Sequence, residues 1–187
     1  MKNKGVLVLV LVLMATGGVF AQEWYDSYAP GIADNNIFIN AGIGLGPTGN
    51  YNSGIPPISA SVDIKLPIDQ PITVGAIVTF STWKYISPYP GSRYEVTYTN
   101  IGFGGRGMWH FNFAENLDTY VGLTLGYVIQ DSSVTQGVGI DYSTASSFFL
   151  WGFNLGARYF FNDSIGVFAE LGYSGLQYGC IGVTFKF

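Results

Sequence analysis

Residues 58–66 divide cleanly into two faces. Ile58, Ala60, Val62, Ile64 and Leu66 fall on one side of an extended chain, and Ser59, Ser61, Asp63 and Lys65 on the other. A helix would mix the two sets on every side, whereas a strand separates them. The same period recurs over about 37–46, 72–83, 96–111, 118–129, 147–160, 165–174 and 178–187. In each stretch one face carries Ile, Val, Leu, Phe, Trp or Tyr, and the other carries mostly Gly, Ser, Thr, Asn and a few charges. That predicts eight strands, most of them long enough to cross a bilayer, which takes about 9–11 residues at a tilt near 45°.

The connections alternate in length as well. Residues 67–71, 112–116 and 161–164 are short turns, while 47–57, 84–95 and 130–146 are longer. Short turns at one end and longer loops at the other are the pattern of a membrane barrel. The last hairpin, near Gly175-Leu176-Gln177, is short and departs from it. A soluble eight-stranded barrel would keep its bulky apolar face inside. An interior of eight strands has room only for side chains that fill it, so the small polar set fits inside and the bulky set faces lipid. The expectation is an all-β chain, an eight-stranded antiparallel up-and-down transmembrane β-barrel over residues 37–187.

Composition narrows the choice further. Charged residues make up 11% of the chain and aromatics 17%, against about 25% charged in ordinary soluble domains. Met1-Lys2-Asn3-Lys4, the apolar run Val6 to Met14, and Val19-Phe20-Ala21 have the layout of a secretory signal peptide over residues 1–21. The run is too short for a spanning helix of about 20 residues. Residues 22–36, with Trp24, Tyr25 and Tyr28, show no alternation and are expected to form an N-terminal periplasmic segment. Cleavage would remove Lys2 and Lys4 and no acid, leaving six basic and twelve acidic side chains, a net charge of −6. A nucleic-acid partner is excluded on that balance, since backbone binding needs basic patches. Cys180 is the single cysteine and His110 the single histidine. No cluster suits a metal, and no cofactor is expected.

At residues 152–161 (Gly-Phe-Asn-Leu-Gly-Ala-Arg-Tyr-Phe-Phe) and 167–173 (Val-Phe-Ala-Glu-Leu-Gly-Tyr), the chain resembles the closing hairpin of small outer-membrane β-barrel proteins of the OmpA/OmpX-like kind. The resemblance implies that Gly182, Phe185 and Phe187 form an assembly signal read by the outer-membrane barrel-assembly machinery. Cys180 stands where that signal usually has a polar residue. The resemblance also implies a Gram-negative cell envelope, with outer-membrane lipids and lipopolysaccharide or its equivalent as neighbours. The family shares a fold and an assembly route more than an activity, so no function follows from it.

Gly102, Gly104 and Gly107 satisfy a GxGxxG pattern, but inside a strand with no helix after it, so nucleotide binding is not expected. His110 has no adjoining serine and reads as a rim histidine among interfacial aromatics; no catalytic residue is assigned. The inward charges Asp63, Lys65, Arg106, Arg158, Glu170 and Lys186 are expected to pair as a lumen ion-pair network, because an unpaired charge in a narrow interior is costly. Counted from the 161–164 turn, Glu170 faces Gly156, with Arg158 one diagonal step away as its expected partner. Four cations against two acids would leave an interior excess of +2.

Three functions are compatible with these residues. The first is a structural or surface-interaction barrel with a closed lumen, whose loops, holding Tyr51, Tyr85, Tyr89, Tyr94 and Tyr142, meet an extracellular ligand. The second is a narrow channel for small or hydrophobic solutes, similar to OmpW-like channels. The third, an outer-leaflet lipid-modifying enzyme, lacks candidate residues. An open diffusion porin needs about 16 strands.

Overall fold

The computed structural model describes residues 36–46, 51–52, 54–86, 94–114, 116–136, 141–173 and 176–187. The expected signal peptide, the rest of the 22–36 segment, and Tyr89 lie outside them. The strands in chain order are β1 (Ile37–Leu45), β2 (Tyr51–Asn52), β3 (Ile58–Lys65), β4 (Ile72–Ile86), β5 (Tyr94–Ala114), β6 (Leu117–Gln136), β7 (Asp141–Phe160), β8 (Ile165–Tyr173) and β9 (Gly179–Lys186). β2 is a two-residue strand laid on β4. The other eight pair in the ring β4-β3-β1-β9-β8-β7-β6-β5, which β4–β5 pairing closes. Every ladder is antiparallel. Closure matters because lipid offers no hydrogen bonds, so a spanning sheet must have no free edge.

The alternation read from the sequence sets which way each side chain points. On β3 the odd positions Ser59, Ser61, Asp63 and Lys65 are buried, and Ile58, Ala60, Val62 and Ile64 are exposed on the outside. Leu123, Leu125, Trp151, Phe153, Leu155, Leu171 and Ile181 likewise face outward. The interior differs from the expected small, polar filling. Phe38, Tyr120, Phe160 and Phe168 are also inside. Glycines on neighbouring strands make room for them: a Cβ at Gly42 or Gly182 would overlap the Phe168 ring.

Two ends of the barrel can be told apart. At one, Asn116 takes a left-handed φ of 64° in the tight turn from β5 to β6, a conformation asparagine tolerates better than most residues. Asn36 and Phe187 lie at this end, where Ile37 and Phe187 exchange both backbone hydrogen bonds, at 3.0 and 2.9 Å. At the other end β4 to β7 run on well past the expected strand limits. Residues 84–86, 94–95, 130–136 and 141–146, read as loop, belong to strands. Outside a membrane both faces of a sheet meet water, so 130–136 and 141–146, rich in Ser and Thr, lose the apolar alternation while keeping the ladder.

Candidate functional site

Asp63 on β3, Arg106 on β5 and Arg158 on β7 meet in the lumen. Arg106 Nε lies 3.1 Å from Asp63 Oδ1, and Arg158 Nη2 lies 2.8 Å from Asp63 Oδ2. Arg106 Nη2 donates to Glu170 Oε1 on β8 at 2.6 Å. Arg158 Nη1 donates to Asp118 Oδ2 on β6 at 3.1 Å. Asn40 Nδ2 adds hydrogen bonds to Asp63 Oδ2 and Ser61 Oγ, both 2.9 Å. The Arg158 guanidinium is fully buried, 4.6 Å from the Phe38 ring centre and 4.5 Å from that of Tyr120. Flanking rings suit a delocalised, weakly hydrated cation that has been taken out of water.

The sequence builds this cluster with glycine as well as with charge. Asp63, Gly75 and Arg106 lie in one row across β3, β4 and β5. A Cβ on Gly75 would collide with Asp63 and with the Val62 carbonyl, so the glycine clears the way for Arg106 to reach over a strand to Asp63. The device recurs at Tyr120, Gly156 and Glu170 on β6, β7 and β8. The Tyr120 ring lies over Gly156, and its hydroxyl donates to Glu170 Oε1 at 2.7 Å.

Four of the six charges expected in the lumen network therefore meet here: Asp63, Arg106, Arg158 and Glu170. The expected partners differ. Glu170 does face Gly156, but its carboxylate bonds Arg106 and Tyr120, while Arg158 bonds Asp63 and Asp118. In a narrow closed barrel long side chains reach across the lumen, so the nearest residue on the sheet is not the nearest charge. Lys65 Nζ donates to the Leu66 and Ile68 carbonyls at 2.6 and 2.9 Å, in the turn that follows its strand. Lys186 Nζ lies 4.7 Å from the Phe160 ring centre. The expected cationic excess of +2 does not describe the cluster, where two guanidinium groups meet the three carboxylates of Asp63, Asp118 and Glu170.

Asp118 and Tyr120 escaped the sequence reading. Both share the parity of Gly122 and Thr124 in the 118–129 stretch, which was the available signal, but neither is among the inward residues named there. His110 points inside the barrel near its short-turn end, where polar groups and not interfacial aromatics surround it. Its Nδ1 donates to Asp118 Oδ1 at 2.7 Å, and its Nε2 is hydrogen-bonded to the Thr73 hydroxyl at 2.9 Å. A hydroxyl, an imidazole and a carboxylate in this order are the groups of a nucleophilic dyad and its orienter. Here Thr73 and His110 are both buried, and the order serves to satisfy polar groups within the wall.

Farther along the lumen, Val128, Leu150 and Leu176 form an apolar cluster with Trp83 packed against it. Leu176 and Gln177, on the short connection to β9, are both buried. A small, partly open hollow of about 10 Å³, room for about one water, lies beside Asn154, Glu170, Gln177 and Cys180.

A closed ring of eight antiparallel strands, apolar outside and ionic within, is a transmembrane β-barrel. Among solved structures it is similar to the N-terminal β-barrel domain of OprF from Pseudomonas aeruginosa, at 17% identity and TM-score 0.46, covering 82% of this chain and 98% of that one. It is also similar to Ail, the attachment invasion locus protein of Yersinia pestis, at 14% identity and TM-score 0.42, covering 82% and 96%. Neisserial surface protein A gives 13% identity and TM-score 0.42, covering 81% and 92%. No protein-family model and no curated protein matches the chain. The architecture itself is read from the ladders.

Proposed function

We propose that the chain is an integral outer-membrane β-barrel with a closed lumen, and that it works through the surface it presents outside the cell. The observation that carries this reading is the double closure of the barrel, ionic around Arg158 and apolar around Leu176. An eight-stranded wall filled in this way has no room for a solute path. Lipids of both leaflets, including lipopolysaccharide or its equivalent, are its immediate neighbours, and the barrel-assembly machinery inserts it. An outer-leaflet enzyme is not favoured, because the Thr73–His110–Asp118 row is enclosed.

The second reading, a narrow gated channel, draws on one feature: Asp63 is shared by two arginines through different oxygens, which offers a route for exchanging partners. Conductance in planar lipid bilayers separates the two. The closed reading expects no discrete openings from the wild-type protein. Regular single-channel steps would replace it with the second. Surface placement is tested separately, by labelling a tag inserted at residues 137–140 on intact cells; a tag that is labelled only after lysis would sink the outward-facing role.

A further inference from the structure

Along β5 the positions that alternate with the buried Arg106, Met108 and His110 point outward, and they read Phe103, Gly105, Gly107, Trp109. Two successive side chains are missing from the lipid-facing wall. A Cβ added at Gly107 would meet nothing within 4 Å, and one at Gly105 would meet only the Gly75 carbonyl, at 3.9 Å. The bare backbone of Gly107 is the floor of an open notch of about 470 Å³. Its walls are Ile72, Trp109, Val121, Leu123 and Phe153, and every residue lining it is apolar.

Its place in the wall limits what can fill it. Trp109 pairs with Ile72, the first residue of β4, so the notch begins at the short-turn end. Toward the other end, Val78, Phe103 and Tyr127 stand in one row and fill the outer face again. From Trp109 to Phe103 the tilted strand climbs roughly 14 Å, close to one leaflet's share of an apolar belt of about 25 Å. Across β5, the backbones of β4 and β6 are two strand spacings or roughly 10 Å apart. Val74 and Leu123, which flank Gly107, narrow that gap. A membrane helix is about 10–12 Å across and spans both leaflets, so neither its width nor its length matches. A single side chain from a second barrel would fill only part of the space. Lipid hydrocarbon is the material present at this depth, and an empty notch would forfeit the dispersion contacts of its walls.

We propose that the notch is a binding site for one acyl chain of a phospholipid in the periplasm-facing leaflet, a reading that rests on the outer-membrane placement proposed above. The chain lies along the bare backbone of Gly107 and Gly105, between Val74 and Leu123, with its methyl end toward Phe103. Trp109 stands at the level where chain gives way to glycerol and headgroup. An indole suits that level, having an apolar body and one N–H donor. Burial from water does not drive the binding, because the chain passes from one apolar medium to another. The preference comes from shape: in the notch a chain touches protein on three sides, and elsewhere on the belt on one.

The test uses the full chain refolded into vesicles of phosphatidylethanolamine and phosphatidylglycerol, released in mild detergent and weighed intact by native mass spectrometry. After washing to constant lipid content, the wild type should keep one phospholipid per barrel. Gly107→Leu puts a side chain into open space and should lower that occupancy about tenfold, the loss expected from roughly a dozen carbon–carbon contacts. Gly107→Val is the second variant should Leu disturb folding, which the shift in gel migration on heating reports. Ala60→Leu adds the same bulk to the exposed face of β3 and should leave occupancy unchanged. A wild type that keeps no phospholipid, or folded Gly107 variants that keep as much as the wild type, overturns the proposal. Retention of a second copy of the chain in place of lipid overturns it too. Conductance and surface labelling are independent of these outcomes, so the acyl-chain site can fail while the closed, outward-facing barrel stands.

Discussion

Tyr120 reaches Glu170 across an intervening strand, with its ring lying on Gly156 and its hydroxyl 2.7 Å from the carboxylate. The contact depends on a residue that takes no part in it. Replacing Gly156 by Val should push the ring aside and leave Glu170 one donor short. The expected loss is about 1–3 kcal/mol, the cost of an unmet buried acceptor, measured by urea unfolding in lipid vesicles. Tyr120→Phe should cost a similar amount, and the double variant should cost less than the two together.

Glu170 should couple to Arg106 more strongly than to Arg158. A double-mutant cycle with Glu170→Ala and Arg106→Met is expected to give roughly 1–3 kcal/mol of interaction energy. The cycle with Arg158→Met should give less, because those two side chains share partners and do not bond each other. The single change Asp63→Asn should be the most damaging in the cluster, at about 3–5 kcal/mol, since it weakens two buried guanidinium groups at once. Equal coupling in both cycles would mean that the lumen is arranged differently.

The ionic and apolar layers lie in series. Glu170→Ala or Leu176→Gly alone should leave planar bilayers silent, because the other layer still closes the barrel. The two together should produce channel openings. Openings from Glu170→Ala by itself would show that the apolar layer does not seal.

Phe187 hydrogen-bonds Ile37 through its backbone, and its ring is exposed. Phe187→Ser keeps the backbone groups and removes the ring. Stability of the refolded protein should change by less than about 1 kcal/mol, in the range of surface substitutions. The amount reaching the outer membrane in cells should nevertheless fall if Gly182, Phe185 and Phe187 are read by the assembly machinery. Normal surface levels would remove that role.

The strands within the membrane were legible because lipid and lumen impose opposite demands on alternate residues, as Val62 and Asp63 show. The upper parts of β6 and β7 were not. In Gln130-Asp131-Ser132-Ser133 and Thr144-Ala145-Ser146-Ser147 both faces meet water, so no pattern marks the strand. Lumen-facing residues could be named by parity, and the register of Glu170 against Gly156 could be counted from a turn. Which charges bond could not, because that depends on the width of the lumen and on glycines such as Gly75, which act by leaving space. The surroundings of His110 were missed for a related reason. Its neighbours Trp109 and Phe111 suggest an interface, while its partners Thr73 and Asp118 come from other strands.

The cluster ties the wall together like the spokes of a wheel, and the spokes are unevenly spread. Asn40 brings in β1, Asp63 β3, Thr73 β4, Arg106 and His110 β5, Asp118 and Tyr120 β6, Arg158 β7 and Glu170 β8. Among the described residues β9 brings none; its inward links include Cys180 near Ser59 and Lys186 over Phe160. Peeling β9 from its neighbours leaves every spoke in place, whereas separating β5 from β6 or β7 from β8 strains the hub. The weakest line of the barrel therefore runs beside its last strand, and a fracture starting there would travel furthest before the charges inside felt it.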